Sequence, residues 1–185
     1  MIKHFIDTET SSLNPYGRQY KGEMLSLAII TEYDDIRGLQ EHYWLLTPQH
    51  IETADPKSLK INGYNEEDWD TSIAFSSIAE NVYTILKTGL IIGHNVSFDI
   101  KFLNHALREC GYRGVSYHQL DTRMLIYEHI EDAPKTSMAW CRDFFDMDTE
   151  GAHNALKDAH DCMYIYNQLA RSSAVKRALW KRKLK

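Results

Sequence analysis

Proline, glycine and cysteine are all scarce in this chain of 185 residues, at four, nine and three. So little Pro and Gly excludes collagen-like and low-complexity architectures and leaves no long disordered region to expect. The cysteines (Cys110, Cys141 and Cys162) are well separated, form no metal-spacing pattern and cannot all pair, which points to a reducing, cytoplasmic setting rather than a disulfide framework. Cys110 and Cys162 fall on apolar positions of helical patterns and are expected to be buried thiols. No stretch approaches the ~20 apolar residues that span a bilayer, so no membrane association is expected. The N-terminus, Met1-Ile2-Lys3-His4-Phe5-Ile6-Asp7, lacks a signal-peptide pattern and reads directly as a strand.

What the chain does have is 43% hydrophobic and 25% charged residues, enough to bury the core of one ordinary domain. Its charge is unevenly spread. Lys176, Arg177, Lys181, Arg182, Lys183 and Lys185 place six cations and no acid in the last ten residues, so removing them from the net −5 leaves −11 on the preceding 175. An acidic body can reflect carboxylates gathered at a cation site or only a solvated acidic surface, and total charge does not separate the two.

Hydrophobic patterning predicts strands at Met1 to Thr8, Glu23 to Thr31 and His42 to Leu46, joined closely enough for an antiparallel meander. An amphipathic helix through Ile73, Ile78, Val82, Ile85 and Leu86 follows, closed by Gly89. Leu90-Ile91-Ile92 reads as a short strand covered on both faces. The next helix takes Ser97 as N-cap and ends at Gly111. A strand from Val115 to Leu120, a helix capped by Asp121 or Thr122, a short helix from Ser137 to Phe145 and a long one from about Asn154 to Ser172 complete the order. Strands followed by alternating helices and strands predict an α/β fold with one mixed sheet and helices on both faces.

Asp7 and Glu9 are two apart at the end of the first strand, so their carboxylates project from the same face. Paired acids repel and raise each other's pKa unless a cation neutralises them, and hard oxygen ligands suit Mg²⁺ or Mn²⁺. A structural or surface explanation also fits this pair taken alone. Asp99 lies in the first turn of a helix just past a buried strand, where an acid can equally serve to stabilise the helix N-terminus. His153 falls at or just before the start of the last helix and Asp158 in its second turn, so both can face one site. An imidazole with an ordinary pKa near ~6.5 suits a general base for water, although an exposed histidine needs no function.

Together, Asp7-Thr8-Glu9-Thr10, His94-Asn95-Val96-Ser97-Phe98-Asp99 and His153-Asn154-Ala155-Leu156-Lys157-Asp158-Ala159 resemble the three motifs of the DnaQ-like, or DEDDh, 3′–5′ exonucleases. That family includes proofreading subunits of bacterial DNA polymerases and RNA-trimming enzymes. The resemblance runs from Met1 to about Leu169, and Ser137 to Arg142 resembles the short helix ahead of the third motif. It implies an RNase H-like fold, with a mixed five-stranded sheet, as an exonuclease domain over 1–172 followed by a basic tail at 173–185. It also implies two divalent cations, Mg²⁺ or Mn²⁺, held by Asp7, Glu9, Asp99 and Asp158, with His153 deprotonating the attacking water. Thr8, Thr10, Leu13, Asn95 and Tyr64 are the expected substrate contacts.

The pattern departs from the family in places. Ser11-Ser12 follows Thr10 where Thr-Gly is common, Ser26 stands where many members carry Glu, and Asn62-Gly63-Tyr64 replaces a His-Gly-Ile-like segment. Tyr64 can stack on a base or be a packed surface tyrosine. His94, His105, His118, His160 and Asp161 make no separate site by spacing, and Asp121-Thr122 reads as a helix cap. The expected activity is removal of nucleoside 5′-monophosphates from single-stranded 3′ ends, with DNA slightly favoured over RNA. An RNA-trimming enzyme of the same family is the runner-up, and a catalytically silent end-binding or polymerase-associated subunit the third reading. The tail can contact phosphates, dock a polymerase or other partner, or be a solubilising end.

Overall fold

The apolar run at the N-terminus forms β1 (Lys3–Thr10), and everything else is arranged around it. β2 (Met24–Glu32) pairs with it antiparallel on one side and β4 (Leu90–Gly93) parallel on the other. β3 (Leu39–Leu45) extends the antiparallel side and β5 (Gln119–Asp121) the parallel side, giving a five-stranded mixed sheet of order β3-β2-β1-β4-β5. The computed structural model describes residues 1–33, 38–115 and 118–173 together with Trp180 and Lys183. Ser116 and Tyr117 of the expected strand after Val115, and all the tail cations except Lys183, lie outside the described residues.

Helices cover both faces, as expected. α2 (Ala79–Leu86) and α3 (Val96–Glu109) pack on Ile6, Leu27, Ile29 and Ile91. α6 (Ala155–Ala170) lays Ala155, Ala159 and Cys162 against Phe5, Ala28, Ile30 and Ile92 on the other face. The alternation along β1 is therefore the organising signal: Phe5, Asp7 and Glu9 face α6, whereas Ile6 and Thr8 face α3. α4 (Thr122–His129) and α5 (Met138–Phe144) close the end of the molecule, joining α6 and Trp180 in a third apolar cluster.

Several boundaries differ from the sequence reading. Ile73 does not begin a helix but bridges Leu46 beyond the end of β3; α2 starts at Ala79 after a short 3₁₀ turn at Phe75–Ser77. α1 (Pro56–Ile61) was not anticipated, although Asp55 caps it and Pro56 sits at its first position. The N-cap of α3 is Asn95, in a left-handed conformation at φ 77°, and Ser97 falls inside the helix. Asn95 makes no side-chain cap because its amide oxygen accepts from Arg123 Nη1 at 2.9 Å. Asp121 caps α4 and Ser137 caps α5 as expected. α6 starts at Ala155 with Asn154 as its cap, which moves Asp158 into the first turn. Cys162 is buried, but Cys110 closes the C-terminus of α3 and is only partly covered. Among the described residues no helix is long and apolar enough to cross a membrane.

Candidate active site

Glu9 ends the regular ladder of β1, where a bulge shifts the pairing from Glu9↔Ser26 to Thr10↔Met24. Bulges beside sites re-aim side chains and end pairing, and this one releases the chain into the Ser11–Gly22 loop. Opposite Asp7 and Glu9 on β2 stand the small residues Ala28 and Ser26. The family's departure at Ser26 therefore falls directly beside Glu9, where it leaves room rather than adding a carboxylate.

Asp158 reaches the same face from the first turn of α6, and His153 from the loop just ahead of it. Ligand atoms of Glu9, His153 and Asp158 all lie within 4.8 Å of one another. His153 holds φ 66°, a left-handed conformation that costs a non-glycine residue energy and is retained mainly where surrounding structure over-determines it. Its side chain remains exposed at the rim. Asn154 caps α6 by accepting from Leu156 N and Lys157 N, and donates to the Tyr43 hydroxyl at 3.3 Å. Tyr43 belongs to β3 and also hydrogen-bonds Ser26. The sequence reading overlooked it; a tyrosine in an edge strand carries no local signal.

Asp99 arrives from the other face. It is 3% exposed, and its Oδ1 accepts from Thr8 N at 3.0 Å and Thr8 Oγ1 at 2.8 Å. Gly93 permits the tight turn from β4 into α3, because a Cβ there would meet Val96 backbone and side chain at 3.0 Å.

Electrostatics bind these acids into one unit. Burial, then Asp99, Asp158 and Glu9, raise Asp7 well above the carboxylate range, with Arg142 opposing. Glu9 is pushed up to about 8 by burial and by Asp158 and Asp99. Asp99 rises to about 7 through burial, against the hydrogen bonds from Thr8. Burial also raises Asp158 while Arg142 pulls it down. Acids this strained are stabilised by protons or by a cation, and the donor set of carboxylates plus one imidazole fits a hard divalent ion.

The other expected contacts divide. Thr8 directs its hydroxyl to Asp99, and Thr10 gives its own to Ser12 O at 2.8 Å, so both side chains are engaged within the protein. Asn62 Nδ2 donates to Thr10 O at 3.0 Å, which brings Asn62-Gly63-Tyr64 to the end of β1. Tyr64 is half-buried with its ring 4.9 Å from Trp69. Leu13 is 72% exposed on the loop beyond β1, its carbonyl held by Lys101 Nζ at 3.0 Å. Asn95 N donates to Asp121 Oδ1 at 3.1 Å, tying the turn before Asp99 to the cap of α4. Burial pushes His94 down to about 4, and its Nδ1 meets Thr122 Oγ1 at 2.9 Å. His105 and His160 lie beside Glu109 and Glu41 on the surface.

Residues 4–166 match the RNase_T model, described as exonuclease. The chain belongs to this exonuclease family. A region of 74 residues, 40% of the chain, is 34% identical to Protein NEN2 of Arabidopsis thaliana, but it spans only 15% of that protein's length. Over 167 residues, 87% of the chain and 70% of the relative, it is 27% identical to DNA polymerase III subunit epsilon of Rickettsia prowazekii. The fold superposes with a TM-score of 0.71 on a 3′-exonuclease solved in 3′-end-specific recognition of a histone mRNA stem-loop, at 11% identity over 91% of this chain and 81% of the other. This exonuclease is thus a DnaQ-like 3′–5′ enzyme with an RNase H-like fold.

Proposed function

We propose that this exonuclease removes nucleoside 5′-monophosphates one at a time from single-stranded 3′ ends, with DNA its preferred substrate. The observation that carries the reading is the cluster of Glu9, Asp158 and His153 ligand atoms within 4.8 Å of one another, with Asp7 and Asp99 interacting electrostatically with those acids. Two divalent cations, held by those four carboxylates, would supply positive charge to the attacking and leaving oxygens of an in-line displacement. Each carboxylate would then trade a strained environment for a neutralised one.

The chain's own residues do the rest. His153 stands at the exposed rim, close to Glu9 and Asp158, where a ring nitrogen can take the proton from the attacking water. Thr8 fixes the rotamer of Asp99 through two hydrogen bonds. Leu13, on the loop after β1, would meet the terminal base by apolar contact, and Tyr64, just after α1, would stack on it. Asn95 has its amide oxygen committed to Arg123, so it would offer a substrate its amide nitrogen.

The similarity to polymerase III epsilon subunits supports DNA and a polymerase partner. The RNA-bound structural neighbour favours a second reading, an RNA-trimming enzyme of the same family. A timed digestion of 5′-labelled single strands, DNA and RNA in parallel, with free or blocked 3′ ends, Mn²⁺ or EDTA, decides between them. A metal-dependent ladder that shortens only from free 3′ ends, faster on DNA, is the expected result. Binding without shortening under any metal would replace the enzyme by a silent end-binding subunit.

Two described residues near the C-terminus, Trp180 and Lys183, lie against the domain. Trp180 is 8% exposed and its ring lies 5.7 Å from Phe145 and 6.5 Å from Phe144, while Lys183 donates to Phe144 O and pairs with Asp146. The division into a domain at 1–172 and a basic tail at 173–185 remains part of the proposal, with Trp180 and Lys183 in contact with the α5 end of the domain.

A further inference from the structure

One charged side chain next to the site has no part in the expected chemistry. Arg142, on α5, is 4% exposed, yet α5 is a short helix whose other buried residues, Cys141 and Phe144, are apolar. Its Nη2 donates to Asp158 Oδ1 and its Nε to Asp161 Oδ2 at 2.8 Å. Asp161 is engaged a second time, by Lys157 Nζ at 2.6 and 2.7 Å to its two oxygens. One guanidinium thus spans an acid of the candidate metal site and an acid one turn further along the same helix.

A buried ion pair is costly to form and more costly to leave half-made. Its retention here has a specific consequence. Four carboxylates converge, and without a cation their mutual repulsion would push Asp158 away from Asp7 and Glu9. A planar guanidinium holds a carboxylate by directed hydrogen bonds, which a mobile ammonium does not do as well. Asp161, locked by Lys157, keeps Arg142 from following Asp158 if that acid moves.

We propose that Arg142 is a built-in counter-ion and positioning residue for Asp158, holding the acid in place before metal arrives and sharing its charge with the metal afterwards. This rests on the metal-site reading above. Sharing has a cost in affinity. A fixed positive charge beside the ligands repels a divalent cation, so the site gives up metal affinity in exchange for a carboxylate that is already oriented.

The test is thermal unfolding of the purified chain, metal-free and with Mn²⁺ at a fixed concentration, alongside calorimetric titration of Mn²⁺ without nucleic acid. For Arg142→Gln the metal-free midpoint should fall, while the midpoint gain on adding Mn²⁺ should exceed that of wild type and Mn²⁺ affinity should rise about tenfold. Arg142→Lys, which keeps the charge, should restore wild-type Mn²⁺ affinity. Asp161→Asn should lower both midpoints together, because it loosens α5 on α6 but leaves Arg142 on Asp158. An Arg142→Gln protein that folds only with Mn²⁺ is the extreme form of the expected result. One that folds in neither buffer, or whose Mn²⁺ gain and affinity match wild type, overturns the proposal. A wild type that shows no Mn²⁺ response removes the metal reading, and the role of Arg142 with it.

Discussion

Asp158 and Asp99 enter the site from opposite faces of the sheet, on α6 and α3, and each is held by a different kind of partner. Asp158 is tied to the buried Arg142 guanidinium, a permanent cation. Asp99 is tied to the backbone and hydroxyl of Thr8, which are neutral donors. An ion pair brings a full compensating charge, whereas hydrogen bonds from neutral donors favour the carboxylate form without neutralising it. The carboxyl held only by hydrogen bonds is the one lifted to about 7, within reach of a proton at neutral pH. Burial raises both carboxyls, and the Asp158 arm differs in having a fixed positive charge that opposes the rise before any cation arrives.

Asp7 lies between the two arms and gives the largest expected effect. Its carboxyl faces Asp99, Asp158 and Glu9 at once. Asp7→Ala should cut turnover by on the order of 10⁴-fold, because it removes a group that acts as part of a unit. It should leave the metal-free fold as stable as wild type or more so, since repulsion is relieved. Single-turnover digestion and urea unfolding check the two halves, and near-wild-type activity would falsify the metal assignment.

Substituting the two arms in parallel separates them by stability. Asp158→Asn leaves Arg142 buried with half its anionic partners, since Asp161 remains, and should cost roughly 2 kcal/mol. Asp99→Asn keeps an oxygen that accepts from Thr8 and sheds a strained charge, so it should cost nothing measurable in metal-free urea unfolding. Equal losses in the two variants would mean that the arms are held alike.

Much of this arrangement could be read before the fold was known, and for a physical reason. Strand alternation puts residues 5, 7 and 9 on one face and 6 and 8 on the other, so the pairing of Asp7 with Glu9 follows from spacing alone. A mixed sheet with helices on both faces follows from the succession of apolar runs and helical periods, while its five strands were implied by the family resemblance and their spatial order comes from the structure. Arg142 escaped because a single arginine on a seven-residue helix looks like a solvated charge; its burial depends on how α5 lies across α6, which no local pattern encodes. Tyr43 escaped for the same reason, being brought to Ser26 and Asn154 by long-range pairing. The N-cap at Ser97 failed because propensity favours serine, while Asn95 takes the left-handed turn and gives its side chain to Arg123. α1 opens on Asp55-Pro56, a start signal that is legible in the sequence itself.

A pH experiment sharpens the contrast. In the fold Glu9 sits near 8 and Asp99 near 7, against ordinary values of 4.5 and 3.8. Between those limits the folded chain holds more protons than the unfolded one, so this contribution is complete at acid pH and is lost as pH rises through about 7 to 8. His4 and His94 are lowered by burial and act in the opposite sense, losing their contribution as pH falls below their ordinary value of 6.5. Above roughly pH 7 the carboxylates dominate, and the metal-free melting midpoint should decline with pH. Saturating Mg²⁺ should flatten that decline, because the cation takes over from the protons. A midpoint already flat without metal would contradict the raised values at Glu9 and Asp99.

The smallest effect falls on the neutral arm itself. Thr8→Val keeps the shape and β-branching of the side chain and removes only the 2.8 Å hydroxyl contact to Asp99 Oδ1, leaving the backbone donor at 3.0 Å in place. The loss of one buried hydrogen bond to an acid should cost about 1 kcal/mol. Because that bond favours the charged carboxylate, its removal should raise Asp99 further and, at subsaturating Mg²⁺ where protons compete with the cation, shift the alkaline-going rise in activity to higher pH. Under those subsaturating conditions turnover at neutral pH should fall by up to about tenfold and recover as pH or Mg²⁺ increases. A uniform loss at every pH would mean that Thr8 contributes packing alone, and that Asp99 is held in place by its backbone donor without help from the hydroxyl.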